Sequence, residues 1–153
     1  MCGIIGITSN KPVSSSILHS LKKLEYRGYD SAGIAIINSE TKNINCNKAE
    51  GKLNNLKNNL KNIEIPGTVG IGHTRWATHG KPEVKNAHPH VDSSGKVAVV
   101  QNGIIENYQE LKTKLEKEGI TFNSDTDTEV IPHLIQKELF ALSQLNLENN
   151  GST

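Results

Sequence analysis

Apolar positions along this chain recur at two spacings, and the switches between them mark the elements. Cys2–Thr8 (CGIIGIT) is short, apolar and rich in β-branched residues, which predicts a buried strand. Ile17, Leu18, Leu21 and Leu24 then recur at helical spacing, predicting a helix over Ser14–Leu24 with its leading serines as candidate N-caps. Gly28–Asp30 breaks that pattern. A second buried strand is expected at Gly33–Ile37, with the weakly alternating Lys42–Lys48 as its hairpin partner. Leu53, Leu56 and Leu60 mark a short polar helix, and Thr68–Gly72 a third strand. From His73 to Asp92 neither period holds. A long irregular segment in a compact domain is usually functional or disordered, and the Trp, Arg and His here argue against disorder.

Periodicity resumes with a strand at Lys96–Val100 that runs into Asn102-Gly103. A helix over Asn107–Lys117 turns Leu111 and Leu115 inward, with Gly119 as its C-cap candidate. Thr121–Asn123 reads as a short strand. Thr126-x-x-Glu129 has the form of a capping box, opening a helix with Val130, Ile131, Leu134, Ile135 and Leu139. Pro132 fits that helix only if it starts late, near Thr128, or bends there. Residues 1–142 are therefore assigned to one domain and 143–153 to a polar, disordered tail. Strands outnumber helices and the connections resemble hairpins, so the expected class is α+β with a largely antiparallel sheet.

Composition narrows the function. At 153 residues the chain can bury one real core. Seventeen basic against sixteen acidic residues give a net charge of +1, no electrostatic case for a nucleic-acid or anionic-membrane partner. Apolar runs such as Gly33–Ile37 are far too short to span a bilayer, and no basic-then-apolar secretory signal opens the chain. Two cysteines, Cys2 and Cys46, cannot build a disulfide framework, which points to a reducing, cytoplasmic setting.

Chemistry is concentrated in a few places. Cys2 directly follows Met1, so removal of Met1 would put a thiol and a free α-amine on one residue. The amine's ordinary pKa of about 7.7–8.0 suits it to act as base for the thiol. Cys2 equally fits the role of a small buried hydrophobe. Gly70–Gly80 is the densest polar and aromatic stretch: Arg75 offers a planar fork for a carboxylate, Thr78 and His79 add hydrogen-bonding groups, and Trp76 can exclude water or simply fill a hole. Asn102-Gly103 is either a tight turn or a two-donor oxyanion hole. Asp127 lies in an acidic run at a helix start, where capping competes with binding of an ammonium group. His73, His79, His88 and His90 lack metal-site spacing, and neither glycine pair amounts to a dinucleotide fingerprint.

Leu24–Gly33 (LEYRGYDSAG), Gly72–Gly80 (GHTRWATHG), Asn86–His90 (NAHPH), Asn102–Asn107 (NGIIEN) and Thr126–Glu129 (TDTE), together with Met-Cys-Gly, resemble the class II glutamine amidotransferases, and among them the isomerizing, hexosamine-forming branch. The likeness runs from Met1 to about Leu139. It implies an N-terminal-nucleophile αββα sandwich, C-terminally truncated here, and hydrolysis of L-glutamine to glutamate and ammonia without cofactor or metal. By the same resemblance Cys2 is the nucleophile, and Asn102 and Gly103 form the oxyanion hole. Arg75 and Asp127 take the α-carboxylate and α-ammonium of glutamine. Thr78 and His79 line the pocket, Trp76 belongs to a closing loop, and Arg27 supports the nucleophile. The expected partner is a sugar-phosphate isomerase domain, absent from this chain, which would use the ammonia to convert fructose-6-phosphate to glucosamine-6-phosphate. Gln101 departs from the His common at that position in the family. The competing expectation is a catalytically silent fragment that binds glutamine or a partner chain.

Overall fold

The computed structural model describes residues 2–61, 63, 65–76 and 81–150, with side chains through 145. Within them the chain builds a four-stranded antiparallel sheet, ordered β1-β4-β2-β3, from β1 (Gly3–Thr8), β2 (Ser31–Ile37), β3 (Ile44–Glu50) and β4 (Val69–Arg75). A two-stranded ribbon of β5 (His90–Val91) and β6 (Ala98–Val99) lies apart from it. The expected hairpin between the second and third strands is present, with Ile37 opposite Ile44 and Ser31 opposite Glu50.

One face of the sheet carries the core. Alternation on β2 aims Ala32, Ile34 and Ile36 at α1 (Ser14–Leu24) and α2 (Leu53–Asn59), whose Ile17, Leu21, Leu53 and Leu56 complete the cluster. Ile17 and Leu21 are fully buried, each contributing about 1.5–3 kcal/mol relative to exposure. They lie close against Gly70 and Gly72 of β4, where no side chain stands between helix and sheet. α1 has the predicted limits, but Val13 rather than a serine holds the N-cap, with no side-chain cap bond. Val13 instead buries its side chain in the core and donates its N–H to the Gly67 carbonyl.

The opposite face carries polar chemistry. Ser31, Gly33 and Ala35 of β2 and Ile71, His73 and Arg75 of β4 point there, beneath residues 86–92, the ribbon and the start of α4 (Val130–Asn150). Gly33 is required: a Cβ at that position would lie 2.2 Å from the His88 carbonyl oxygen. α3 (Tyr108–Lys117) buries Leu115 and half-buries Leu111, and Gly119, with φ of +91°, ends it as expected of a C-cap glycine.

Four expectations need correction. Thr121–Asn123 is not a strand, because the Glu129 carboxylate takes the N–H groups of Asn123 and Ser124 at 2.8 and 2.7 Å. That use of Glu129 also leaves the capping box unformed. The Thr126 hydroxyl pairs with His90 Nε2 at 2.8 Å instead of capping the helix. The last strand contracts to Ala98–Val99, since the Asp92 carboxylate claims the N–H groups of Lys96 and Val97. Pro132 sits in the first turn of α4, which starts late enough to accept it. α4 also runs on to Asn150, so residues 143–150 of the expected disordered tail are helical: once a packed turn exists, each further residue adds a hydrogen bond. Beyond its packed start this helix exposes Ile135, Leu139, Phe140, Leu142 and Leu145. No helix among the described residues is long and apolar enough to cross a membrane.

Candidate active site

Strand register assembles the site. Gly3 of β1 pairs with Thr74 of β4, and Ser31 of β2 pairs with Arg75, so one end of the sheet gathers the first residues of β1 and β2 and the last of β4. Cys2, one residue ahead of β1, therefore lies beside the residue that follows β4. The Trp76 N–H donates to Cys2 Sγ at 3.3 Å, and the Cys2 thiol reaches the Trp76 carbonyl at 3.6 Å. The Cys2 carbonyl is held from two other directions, by Arg27 Nε at 3.3 Å and by Asn102 Nδ2 at 3.1 Å.

Cys2, Arg75, Trp76, Asn102, Gly103 and Asp127 line one small cleft of about 50 Å³ that opens to solvent. Arg75, 4% exposed, donates from Nη1 to the Lys81 carbonyl at 3.3 Å. Asp127, 6% exposed, anchors Oδ2 on the Ile105 N–H at 2.7 Å, and its Oδ1 lies 3.5 Å from the Thr128 hydroxyl. A cation and an anion, both buried and both fixed by backbone, thus line the same cleft as the Cys2 thiol. Trp76 stands half exposed at the rim, edge-on to Tyr29 with ring centroids 5.6 Å apart. Asn102-Gly103 makes no hairpin with a returning strand; its side-chain amide turns to Cys2 instead. Thr78 and His79, also expected here, lie outside the described residues, as does Met1.

The cleft includes residues that apolar periodicity passed over. His73, His88, Gln101, Thr126 and Thr128 also line it. Alternation on β4 carries the signal for His73, since it shares a face with Arg75 two residues on. His73 stacks on His88 at 4.4 Å between centroids, and His88 meets His90 edge-on at 4.6 Å. Burial, the main cause throughout, holds His73 at about 4 and His90 at about 3. It pushes His88 down too, helped by its two histidine neighbours. All three are uncharged near neutrality; the Gln101 N–H donates to His88 Nδ1 at 3.3 Å, and Thr126 meets His90. Among the described residues no cluster of His, Cys, Asp or Glu is arranged to hold a metal. Gln101 accepts the Thr128 hydroxyl at 2.8 Å through Oε1.

An antiparallel sheet with helices packed on one face, and with a thiol at the head of its edge strand, places the fold in the N-terminal-nucleophile class. The model of the glutamine amidotransferase domain matches residues 35–141, and the chain belongs to that family. It is 59% identical over 139 residues to the glutamine--fructose-6-phosphate aminotransferase [isomerizing] of Nostoc sp., covering 91% of this chain and 22% of that protein. The protein of the same name from Pyrococcus horikoshii is 58% identical, over 91% of this chain and 23% of its own length. The chain thus spans about a fifth of the length of the curated relatives it matches. Among solved structures, the glutamine phosphoribosylpyrophosphate amidotransferase of B. subtilis superposes with a TM-score of 0.72 at 29% identity, covering 89% of this chain and 29% of that one. The structure of the allosteric regulatory enzyme of purine biosynthesis gives 0.74 at the same identity and the same coverage. The α+β, antiparallel class expected from the sequence is the class found.

Proposed function

We propose that this chain carries the glutaminase chemistry of an isomerizing glutamine–fructose-6-phosphate amidotransferase. It hydrolyses L-glutamine and hands ammonia to a sugar-phosphate isomerase domain that makes glucosamine-6-phosphate, in the cytoplasm. The observation that carries the proposal is the cleft itself, where the Cys2 thiol, the Arg75 guanidinium and the Asp127 carboxylate line one wall-to-wall space. The zwitterionic end of an amino acid needs one partner of each sign, and a bidentate guanidinium-carboxylate pair is among the strongest polar contacts available. Domain limits of 1–142 for the glutaminase part belong to the same proposal.

The steps follow from the groups present. With Met1 removed, the Cys2 amine takes the thiol proton, directly or through a water, and Sγ attacks the side-chain amide carbon of glutamine. The carbonyl π electrons move to oxygen, where Asn102 Nδ2 and the Gly103 N–H receive the oxyanion. As the C–N bond breaks, the ammonium proton of Cys2 goes to the departing nitrogen and ammonia leaves. Water then attacks the γ-glutamyl thioester, giving its proton to the amine. Glutamate departs and the thiol is restored. Arg27 holds the Cys2 carbonyl, and so the nucleophile's backbone, during both attacks. Trp76 belongs to a loop that closes over the substrate and limits entry of water, and Thr78 and His79 belong to the lining of the same pocket.

Intact mass before and after exposure to an electrophilic glutamine analogue tests this. The expected result is a starting mass without Met1 and a single adduct mapped to Cys2. Cys2→Ala should bind glutamine and release no glutamate; an alanine variant that keeps the wild-type rate overturns the proposal.

A further inference from the structure

We infer that His73 is the positioning residue of the oxyanion hole, holding the Asn102 amide with its N–H groups turned toward the reacting centre. The inference rests on the proposed glutaminase reading of Cys2 and Asn102, and adds a residue to which neither the sequence motifs nor the family resemblance gave a role.

Two contacts fix the amide in opposite senses that agree. Asn102 Nδ2 donates to the Cys2 carbonyl at 3.1 Å, an oxygen that can only accept. Asn102 Oδ1 lies 3.0 Å from His73 Nε2, so this nitrogen carries the hydrogen and donates. A flipped amide would lose both bonds, setting carbonyl oxygen against carbonyl oxygen and N–H against N–H. With His73 in place, one Nδ2 hydrogen goes to Cys2 and the other is directed for an oxyanion forming next to Cys2 Sγ.

His73 is built to stay still. It is 1% exposed on β4, and its ring lies within 18° of parallel to His88. His88 in turn accepts the N–H of Gln101, the residue just before Asn102. The two rings therefore support the same short segment, one through backbone and one through the amide. Asn102 itself is exposed at the rim, so burial does not orient it. Preorganised donors are what make an oxyanion hole effective: removing one costs about 10²–10³ in kcat, and a misplacement of about 1 Å costs about 10².

Two measurements on the full chain test this. In the first, kcat and KM for glutamine are compared for His73→Leu, which removes the donor, and His73→Gln, whose amide nitrogen can replace Nε2. His73→Leu should lower kcat by roughly 30- to 100-fold with KM within about twofold, and His73→Gln should recover to within about fivefold. In an Asn102→Ala background, His73→Leu should add less than about threefold. Equal losses for Leu and Gln, a loss residing in KM, or additive losses in the double variant would overturn the assignment. The second measurement needs neither turnover nor a variant: imidazole ¹⁵N shifts of the wild-type chain should show His73 as the Nε2–H tautomer with a bare Nδ1. The Nδ1–H tautomer would refute the His73–Asn102 bond. A chain that hydrolyses no glutamine yet shows the Nε2–H tautomer would refute the glutaminase proposal while leaving the positioning geometry standing.

Discussion

Acidification should unfold this protein through its histidine column before its carboxylates matter. His73, His88 and His90 have an ordinary pKa of 6.5, and burial lowers all three, His73 to about 4 and His90 to about 3. Below pH 6.5 the unfolded chain takes up protons that the folded state refuses, so stability falls as pH drops. It goes on falling until each folded-state value is passed. Between pH 7 and 5 each histidine should cost about 2 kcal/mol, and the column on the order of 5. A domain of this size has about 5–15 kcal/mol in total, so the loss is enough to bring it near its midpoint. Glu129 adds nothing in that window. Burial alone would raise its pKa, but His133, Asn123 and Ser124 hold it down at about 2, so its contribution is lost only below its ordinary 4.5. Asp92, lowered from 3.8 by its Ser94, Lys96 and Val97 contacts against the opposing effect of burial, starts later still. The assay is urea unfolding followed by circular dichroism at pH 7, 6 and 5, on the wild type and on His90→Gln. The glutamine amide can keep the bond to the Thr126 hydroxyl without a titrating group, so His90→Gln should remove about 2 kcal/mol of the pH-dependent loss. A wild-type unfolding free energy that stays flat from pH 7 to 5 would refute the reasoning.

Two further predictions concern the cleft and its support. Asp127→Asn keeps the Ile105 N–H satisfied but turns an N–H₂ toward the space assigned to the substrate ammonium. KM for glutamine should therefore rise by roughly 10- to 100-fold with kcat within a few-fold. Asp125→Ala is the control: Asp125 is exposed and paired to Lys85 at 2.9 Å, so KM should stay within about twofold, and equal effects at the two positions would sink the assignment. Gly33→Ala would place a methyl 2.2 Å from the His88 carbonyl and 3.1 Å from that of Asn47, both backbone atoms that cannot swing away. A loss of about 3 kcal/mol is expected in denaturant unfolding, and a change under about 0.5 would mean the segment over β2 moves freely.

How far the sequence reached depends on what each buried residue is made of. The face packed on α1 and α2 was legible because Ile17, Leu21, Ile34 and Ile36 are apolar and recur at the period of their element. β4 was seen only as far as Gly72, although it runs to Arg75. Its last residues are as buried as the core, but they are His73, Thr74 and Arg75. A hydrophobic pattern cannot register a strand whose buried end is polar, with His73 bonded to Asn102 and Arg75 to the Lys81 carbonyl. The same limit explains the false strand at Thr121–Asn123, where the deciding acceptor was the Glu129 side chain. The histidine column gathers positions 73, 88 and 90, which no local spacing rule relates. Cys2 stood out by its place after Met1, and the family likeness attached roles to Arg75, Asn102 and Asp127 that spacing could not. The strand register then supplies the physical reason why Cys2 and Arg75 meet. Cys2 just ahead of β1 and Arg75 at the end of β4 meet at one end of the sheet, so a shift of β1 by a single residue would turn Ile5 and Ile7 out of the core as it moved Cys2 away from Trp76. The packing of the apolar face is thereby what fixes the thiol at the cleft, and the core and the proposed chemistry cannot be varied separately along β1.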